Sequence, residues 1–168
     1  QFYFSTTDVT GTITLPAEQV YVENSFGLGA NTMVAVTEDT DDTFLKFKNV
    51  GGYLKLQLYG DNVTVKSITL TGNNNEKLAG AATITSVYGQ DPTINMADDA
   101  TGSVTLDCGE GVEIGSTAET ATEFWFVVPP TTFESGFTVT IKDVNDNEFT
   151  KSTSKKISIE RNVIKPIS

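Results

Sequence analysis

The sequence predicts an all-β chain folded as an antiparallel β-sandwich, and three observations predict it. Thr, Val, Asn, Asp and Gly are plentiful, and no long Leu/Ala/Glu/Lys stretch offers a helix. Short apolar runs alternate with period two, the mark of half-buried strands. Turn residues punctuate the chain about every 8–12 residues. The 168 residues, 38% of them hydrophobic, match one domain or one large sandwich with a real core.

The elements follow in order. Phe2-Tyr3-Phe4 is a short aromatic run. "TGTITL" (10–15) alternates and stops at Pro16, and "QVYV" (19–22) is a second short strand. "NSFGLGAN" (24–31) is a Gly-rich connection, "TMVAV" (32–36) a buried strand and "TEDTDDT" (37–43) an acidic turn or linker. "FLKFKNV" (44–50) leads into the most legible part of the chain, an expected hairpin. In Tyr53–Tyr59 the leucines 54, 56 and 58 share one face; Tyr53, Lys55, Gln57 and Tyr59 take the other. Burying each leucine contributes about 1.5–3 kcal/mol before entropy is charged. Gly60-Asp61-Asn62 has turn chemistry. The returning strand changes phase, with Val63 and Val65 odd but Ile68 and Leu70 even. A β-bulge near Lys66-Ser67 would restore its inward face.

"GNNNEK" (72–77) is another turn, and residues 78–88 alternate loosely. "TINMADDATG" (93–102) reads as loop and "SVTLDC" (103–108) as strand. "EFWFVV" (123–128) is apolar on both faces, which predicts a central strand ended by Pro129-Pro130. "FTVTIKDV" (137–144) points Phe137, Val139 and Ile141 inward and pairs with "NEFTKSTS" (147–154). "KISIER" (156–161) and "VIKPI" (163–167) finish the chain. Residues 1–40 are N-terminal strands, of the same sandwich or the remnant of a preceding domain; residues 41–168 are the β-sandwich domain.

Composition excludes several function classes. The net charge is −11, from 11 basic and 22 acidic residues, and the one adjacent basic pair is Lys155-Lys156. Phosphate neutralisation needs clustered Lys/Arg, so no nucleic-acid partner is expected. The same deficit opposes anionic lipid, and no apolar run reaches the roughly 18 residues of a membrane helix, so no membrane insertion by this segment is expected. There is no histidine, which removes Ser-His-Asp and Cys-His catalysis and most zinc sites. Cys108 has no disulfide partner and sits in an alternating strand, a small hydrophobe beside the acidic Asp107 and Glu110. No signal peptide is present, and the chain begins at Gln1, which reads as a processed or trimmed piece.

The chemistry-bearing patterns are weak. Asp143, Asn145 and Asn147 match positions 1, 3 and 5 of a calcium loop, but Glu148 replaces the glycine at position 6 and Ser154 the glutamate at position 12. A hairpin turn is expected there, and a solvated loop at 37–43. No carboxylate pair can be singled out for sugar hydrolysis, and "SFGLGAN" is no phosphate loop. Asn62-Val63-Thr64 is a formal glycosylation sequon within a turn. Tyr53 and Tyr59 could stack a sugar or make ordinary cross-strand pairs. No catalytic, cofactor-binding or metal-binding residue is predicted, and the chain is expected not to be an enzyme.

A set of phrases in order carries a resemblance. "LPAEQVYVENSFGLGANTMVAVTEDTDDTFLKFKNVGGYLKLQLYG" runs into "VKSITLTGNNNEKLAGAATI"; then come "VTLDCGEGV", "TEFWFVVPPTTFESGFTVTIKD" and "KSTSKKISIERNVIKPI". Over most of residues 10–167 the chain resembles the fimbrillin family, surface lipoproteins and pilus subunits of Bacteroides and Porphyromonas. The resemblance implies transthyretin-like β-sandwich domains, a lipid anchor outside this segment, and export to the outer-membrane surface. It implies a component of pili or fimbriae, as structural subunit, anchor or tip adhesin. Its partners would be other subunits, joined by strand exchange into a polymer, and a host or bacterial surface ligand. "KISIERNVIKPI" is the candidate donor or edge segment. The chain departs from the family pattern in that its cysteine is internal and no arginine precedes Arg161, so the maturation cleavage is not placed. The alternative is a surface glycan-binding module of a polysaccharide-uptake system, reading sugars through Tyr53 and Tyr59.

Overall fold

The computed structural model describes residues 2–6, 9–39 and 41–168. The strands are β1 (Phe2–Thr6), β2 (Val9–Leu15), β3 (Glu18–Val22), β4 (Ser25–Phe26), β5 (Met33–Thr37), β6 (Lys48–Asn49), β7 (Gly52–Leu58), β8 (Thr64–Gly72) and β9 (Gly80–Ser86). They continue with β10 (Thr93–Met96), β11 (Ser103–Glu113), β12 (Thr122–Val128), β13 (Thr131–Phe133), β14 (Phe137–Asp143), β15 (Glu148–Ser152), β16 (Ile157–Ile159) and β17 (Ile164–Ile167). One 3-10 turn, Ala118–Thr120, interrupts them.

Two sheets face each other. One has the order β15-β14-β8-β11-β3-β4 and the other β12-β7-β17. Their inward residues form the main core: Leu54 and Leu56 of β7, Phe124 and Phe126 of β12, Ile68 and Leu70 of β8, Val104 and Leu106 of β11 and Phe137 of β14. Every one is buried, as period-two alternation on a two-layer fold requires. A second core joins β2, β5 and β9 through Ile13, Val34 and Ile84. Strands β2 and β3, both before residue 41, pair with β9 and β11. The fold is an all-β sandwich.

The bulge lies where the phase change puts it. β14 and β11 both skip Lys66 in their registers with β8, passing from Ser67 to Val65. Val65, Ile68 and Leu70 thereby all reach the core.

Three expectations are corrected. β7 and β8 are not a hairpin: β7 pairs β12 and β17, and β8 pairs β11 and β14 in the opposite sheet. The connection at 59–63 crosses the core and is stitched to another segment, Gly60 N–H donating to Gly115 O and Ile114 N–H to Val63 O. Alternation reveals which face of a strand is buried but not whether its neighbour pairs with it or faces it. β12 is an edge strand, not a central one, although both its faces are covered: Phe124 and Phe126 face the main core, and Val127 packs with Ala30 and Tyr53 on the other side. Within "TINMADDATG", Thr93–Met96 forms a strand on β9.

Candidate functional site

An apolar opening lies between the ends of the two facing sheets. Leu56 and Leu58 of β7 and Ile167 of β17 form one wall, and Phe137, Val139 and Ile141 of β14 form the other. The cavity holds about 520 Å³ and opens to solvent past Tyr59, Lys151 and Ser152. Its walls follow from the alternation of β7 and β14: the leucines of one and the odd residues of the other point into the sandwich. At this side of the sandwich the six-stranded sheet ends at β15 and the three-stranded sheet ends at β17. All five residues of β15 are exposed. A sheet edge offers unpaired main-chain donors and acceptors, and here an apolar trough lies beside two of them. Apolar walls and backbone edges can bind an extended strand.

The two tyrosines do not form a common platform. Tyr53 is 6% exposed, which corrects its expected place on an open polar face. Its ring stacks on Phe26 at 5.1 Å between centroids, and its hydroxyl donates to Asn31 Oδ1 at 3.3 Å. Burial pushes its pKa up, partly offset by that hydrogen bond. Tyr59 is 57% exposed and stands at the mouth of the groove. Between them, Lys55 Nζ and Glu123 Oε1 make a 2.7 Å ion pair, and the Trp125 indole donates to Glu123 Oε2. The Lys55 contact holds the Glu123 carboxyl below its usual range.

The remaining marked residues have structural partners. Asp143 Oδ1 accepts the N–H groups of Asn145 at 2.8 Å and Asn147 at 2.9 Å, and Oδ2 accepts the Asn147 side-chain amide at 2.8 Å. These bonds close the β14–β15 hairpin and hold the carboxyl pKa low. In the acidic loop, Asp39 Oδ1 accepts from the N–H groups of Asp41 and Asp42, and Asp42 accepts from those of Glu38 and Phe44. Among the described residues no three Cys, Asp or Glu side chains converge as a metal set. Cys108 is buried, its pKa pushed up to about 12 by burial and then by Asp107. Asn62 sits at φ 54° in its turn. Lys156 pairs with Glu134 at 2.8 Å. Phe2-Tyr3-Phe4 falls in β1, whose side chains lie outside the described residues.

Sequence reasoning did not find the groove or two polar locks. Lys48 and Arg161 hold the two oxygens of Asp91, at 3.2 and 2.8 Å. Gln19 bridges the two sheets by binding the main chain of Val127. The inward residues of the groove were readable from alternation, but the separation of the two sheet ends that opens it was not.

Among the described residues no helix is long and apolar enough to cross a membrane. No family model matches the chain, and no curated protein matches it. Among solved structures, the chain is similar to a candidate cell-adhesion protein from Bacteroides ovatus, at 12% identity and a TM-score of 0.40. The match covers 80% of this chain and 42% of that one, so this chain spans less than half of its length.

Proposed function

We propose that the chain is a non-enzymatic, fimbrillin-like protein of the cell surface. It is a component of pili, as structural subunit, anchor or tip adhesin, assembled by β-strand addition and acting in adhesion. The observation that carries this proposal is the apolar groove between Leu56, Leu58 and Ile167 on one side and Phe137, Val139 and Ile141 on the other, at the ends of two sheets. A groove of this kind is completed by an extended segment that gives main-chain bonds to an edge and alternate side chains to the trough. The resemblance of the ordered phrases across residues 10–167 supports the same assignment. In this reading β2 and β3, before residue 41, are strands of the same body, pairing with β9 and β11.

The test is the molar mass of the mature protein in solution, before and after limited N-terminal proteolysis. Growth into multimers supports assembly by strand addition. A chain that stays monomeric in both states overturns it.

A further inference from the structure

We propose that a further cavity, framed by β5, β6 and the turn after β9, binds one neutral pyranose ring, the end sugar of a glycan. The cavity adjoins the smaller core and shares no residue with the groove, so the proposal does not rest on strand addition.

Alternation and one tight turn build the cavity. Val34 and Val36 of β5 form its apolar floor. Lys48 of β6 is the antiparallel partner of Val34, so the two side chains rise from the same face of the pair. Lys46, two residues earlier, is exposed at the rim. β9 ends at Ser86, and the chain then turns, with Gln90 N–H donating to Val87 O at 3.0 Å. Gly89 takes the left-handed backbone conformation there, at φ 74°. Lys48 Nζ fixes the turn by donating to Gln90 O at 2.6 Å. The space enclosed is about 210 Å³.

One group in this cavity lacks a partner. Ser86 is 6% exposed, and its hydroxyl forms no hydrogen bond to any described residue. Buried hydroxyls are nearly always paired. Ser86 lines the cavity, so a hydroxyl of an occupant can accept from it or donate to it.

Charge and size select the occupant. Asp91 binds Lys48 at 3.2 Å and Arg161 at 2.8 Å, while Glu38, Asp39 and Asp42 act on Tyr88. With Lys46, three basic groups stand against four acidic ones, so no anion is drawn in. Among the described residues no three acidic side chains converge on a cation. The fitting ligand is therefore uncharged. It carries groups that both donate and accept, and it has an apolar side for the valines and the Tyr88 ring. A pyranose has both, in its hydroxyls and its C–H face. Tyr88 is 39% exposed, and its hydroxyl donates to the Glu38 carboxylate, which holds the ring at the mouth. Glu38 and Lys46 then supply an acceptor and a donor at the rim. The cavity is smaller than the about 300–1,000 Å³ of drug-sized sites, which limits the occupant to a single ring.

The experiment is saturation-transfer NMR on the full chain. The probes are the methyl glycosides of glucose, galactose, mannose, fucose and N-acetylglucosamine, with that of glucuronic acid as the charged control. At least one neutral glycoside is expected to bind, and the glucuronide is expected not to. Tyr88→Ala should weaken binding by about tenfold or more and Ser86→Ala by about fivefold, while Tyr59→Ala, at the mouth of the groove, stays within about twofold. Ser86→Ala removes a single oxygen, so it keeps the test decisive should Tyr88→Ala disturb the turn. If no neutral glycoside binds, or the glucuronide binds better, the sugar class is overturned. If a glycoside binds both variants as well as it binds the unaltered chain, the site is overturned. Each of these results leaves strand addition as it was, because association is not what is measured.

Discussion

The side-chain amide of Gln19 makes two hydrogen bonds to the main chain of Val127: Nε2 donates to the carbonyl at 2.6 Å, and Oε1 accepts from the N–H at 3.0 Å. Gln19 belongs to β3 of the six-stranded sheet and Val127 to β12, the edge of the other sheet. The amide thus does for one residue of β12 what a neighbouring strand would do for several. It ties the segment before residue 41 to the core sandwich, and it is buried, at 4% exposed.

Replacing Gln19 with Ala leaves a buried donor and a buried acceptor of Val127 without partners. Each such group costs about 1–3 kcal/mol, so a total loss of about 2–6 kcal/mol is expected in chemical denaturation. Gln19→Glu should be at least as damaging, because a carboxylate can accept from the N–H but repels the carbonyl. A loss under about 0.5 kcal/mol for Gln19→Ala would mean the lock contributes nothing.

Phe126 is fully buried, whereas Phe44 is 76% exposed. Phe126→Ala should destabilise by about 3–5 kcal/mol through lost transfer energy and a residual cavity. Phe44→Ala should stay within about 0.5 kcal/mol. Thermal or urea unfolding of the two variants checks the contrast.

Cys108, with its pKa pushed up to about 12, stays a neutral thiol in the folded chain at pH 8. A thiol-trapping reagent should modify it slowly until the protein is unfolded, and then at the rate of an ordinary cysteine. The sign for stability follows. Above about pH 8.5 the unfolded thiol loses its proton before the folded one does. Stability therefore declines as pH rises from there towards 12, and Cys108→Ala should flatten that slope.

Asp143 has the opposite sign. The Asn147 side-chain amide, with the N–H groups of Asn147 and Asn145, favours the carboxylate and lowers its pKa. Its stabilising effect is full above the ordinary aspartate value near pH 4 and is lost as pH falls through the lower, folded value. Asp143→Asn should flatten the acid limb of the stability profile, measured by denaturation between about pH 2 and 6.

Much of this fold was legible in the residues, for reasons that also mark where legibility stops. Leu54 and Leu56 announced a buried face, and the shift from Val65 to Ile68 announced a bulge at Lys66. Period two reports a face, so it could not say that β7 and β8 lie across the core from each other rather than side by side. It put Tyr53 on the face away from the leucines, but could not say that Phe26 covers that face. The doubly apolar pattern of β12 was read as a central position; the cover on its outer side comes instead from Ala30 and Tyr53, and its free edge is met by a polar residue, Gln19. The groove is bounded by readable residues, but alternation does not say how far apart the ends of the two sheets stand.

Amide hydrogen exchange at Glu148, Thr150 and Ser152, compared between the monomer and the assembled form, decides whether β15 receives a strand. Asp143 N–H donates to Asn147 O and Thr153 N–H to Phe137 O, so these three N–H groups point away from β14 and should exchange fast in the monomer. Assembly by strand addition at β15 should slow all three by at least about tenfold. Equal and rapid exchange at all three in both forms would contradict strand addition at β15.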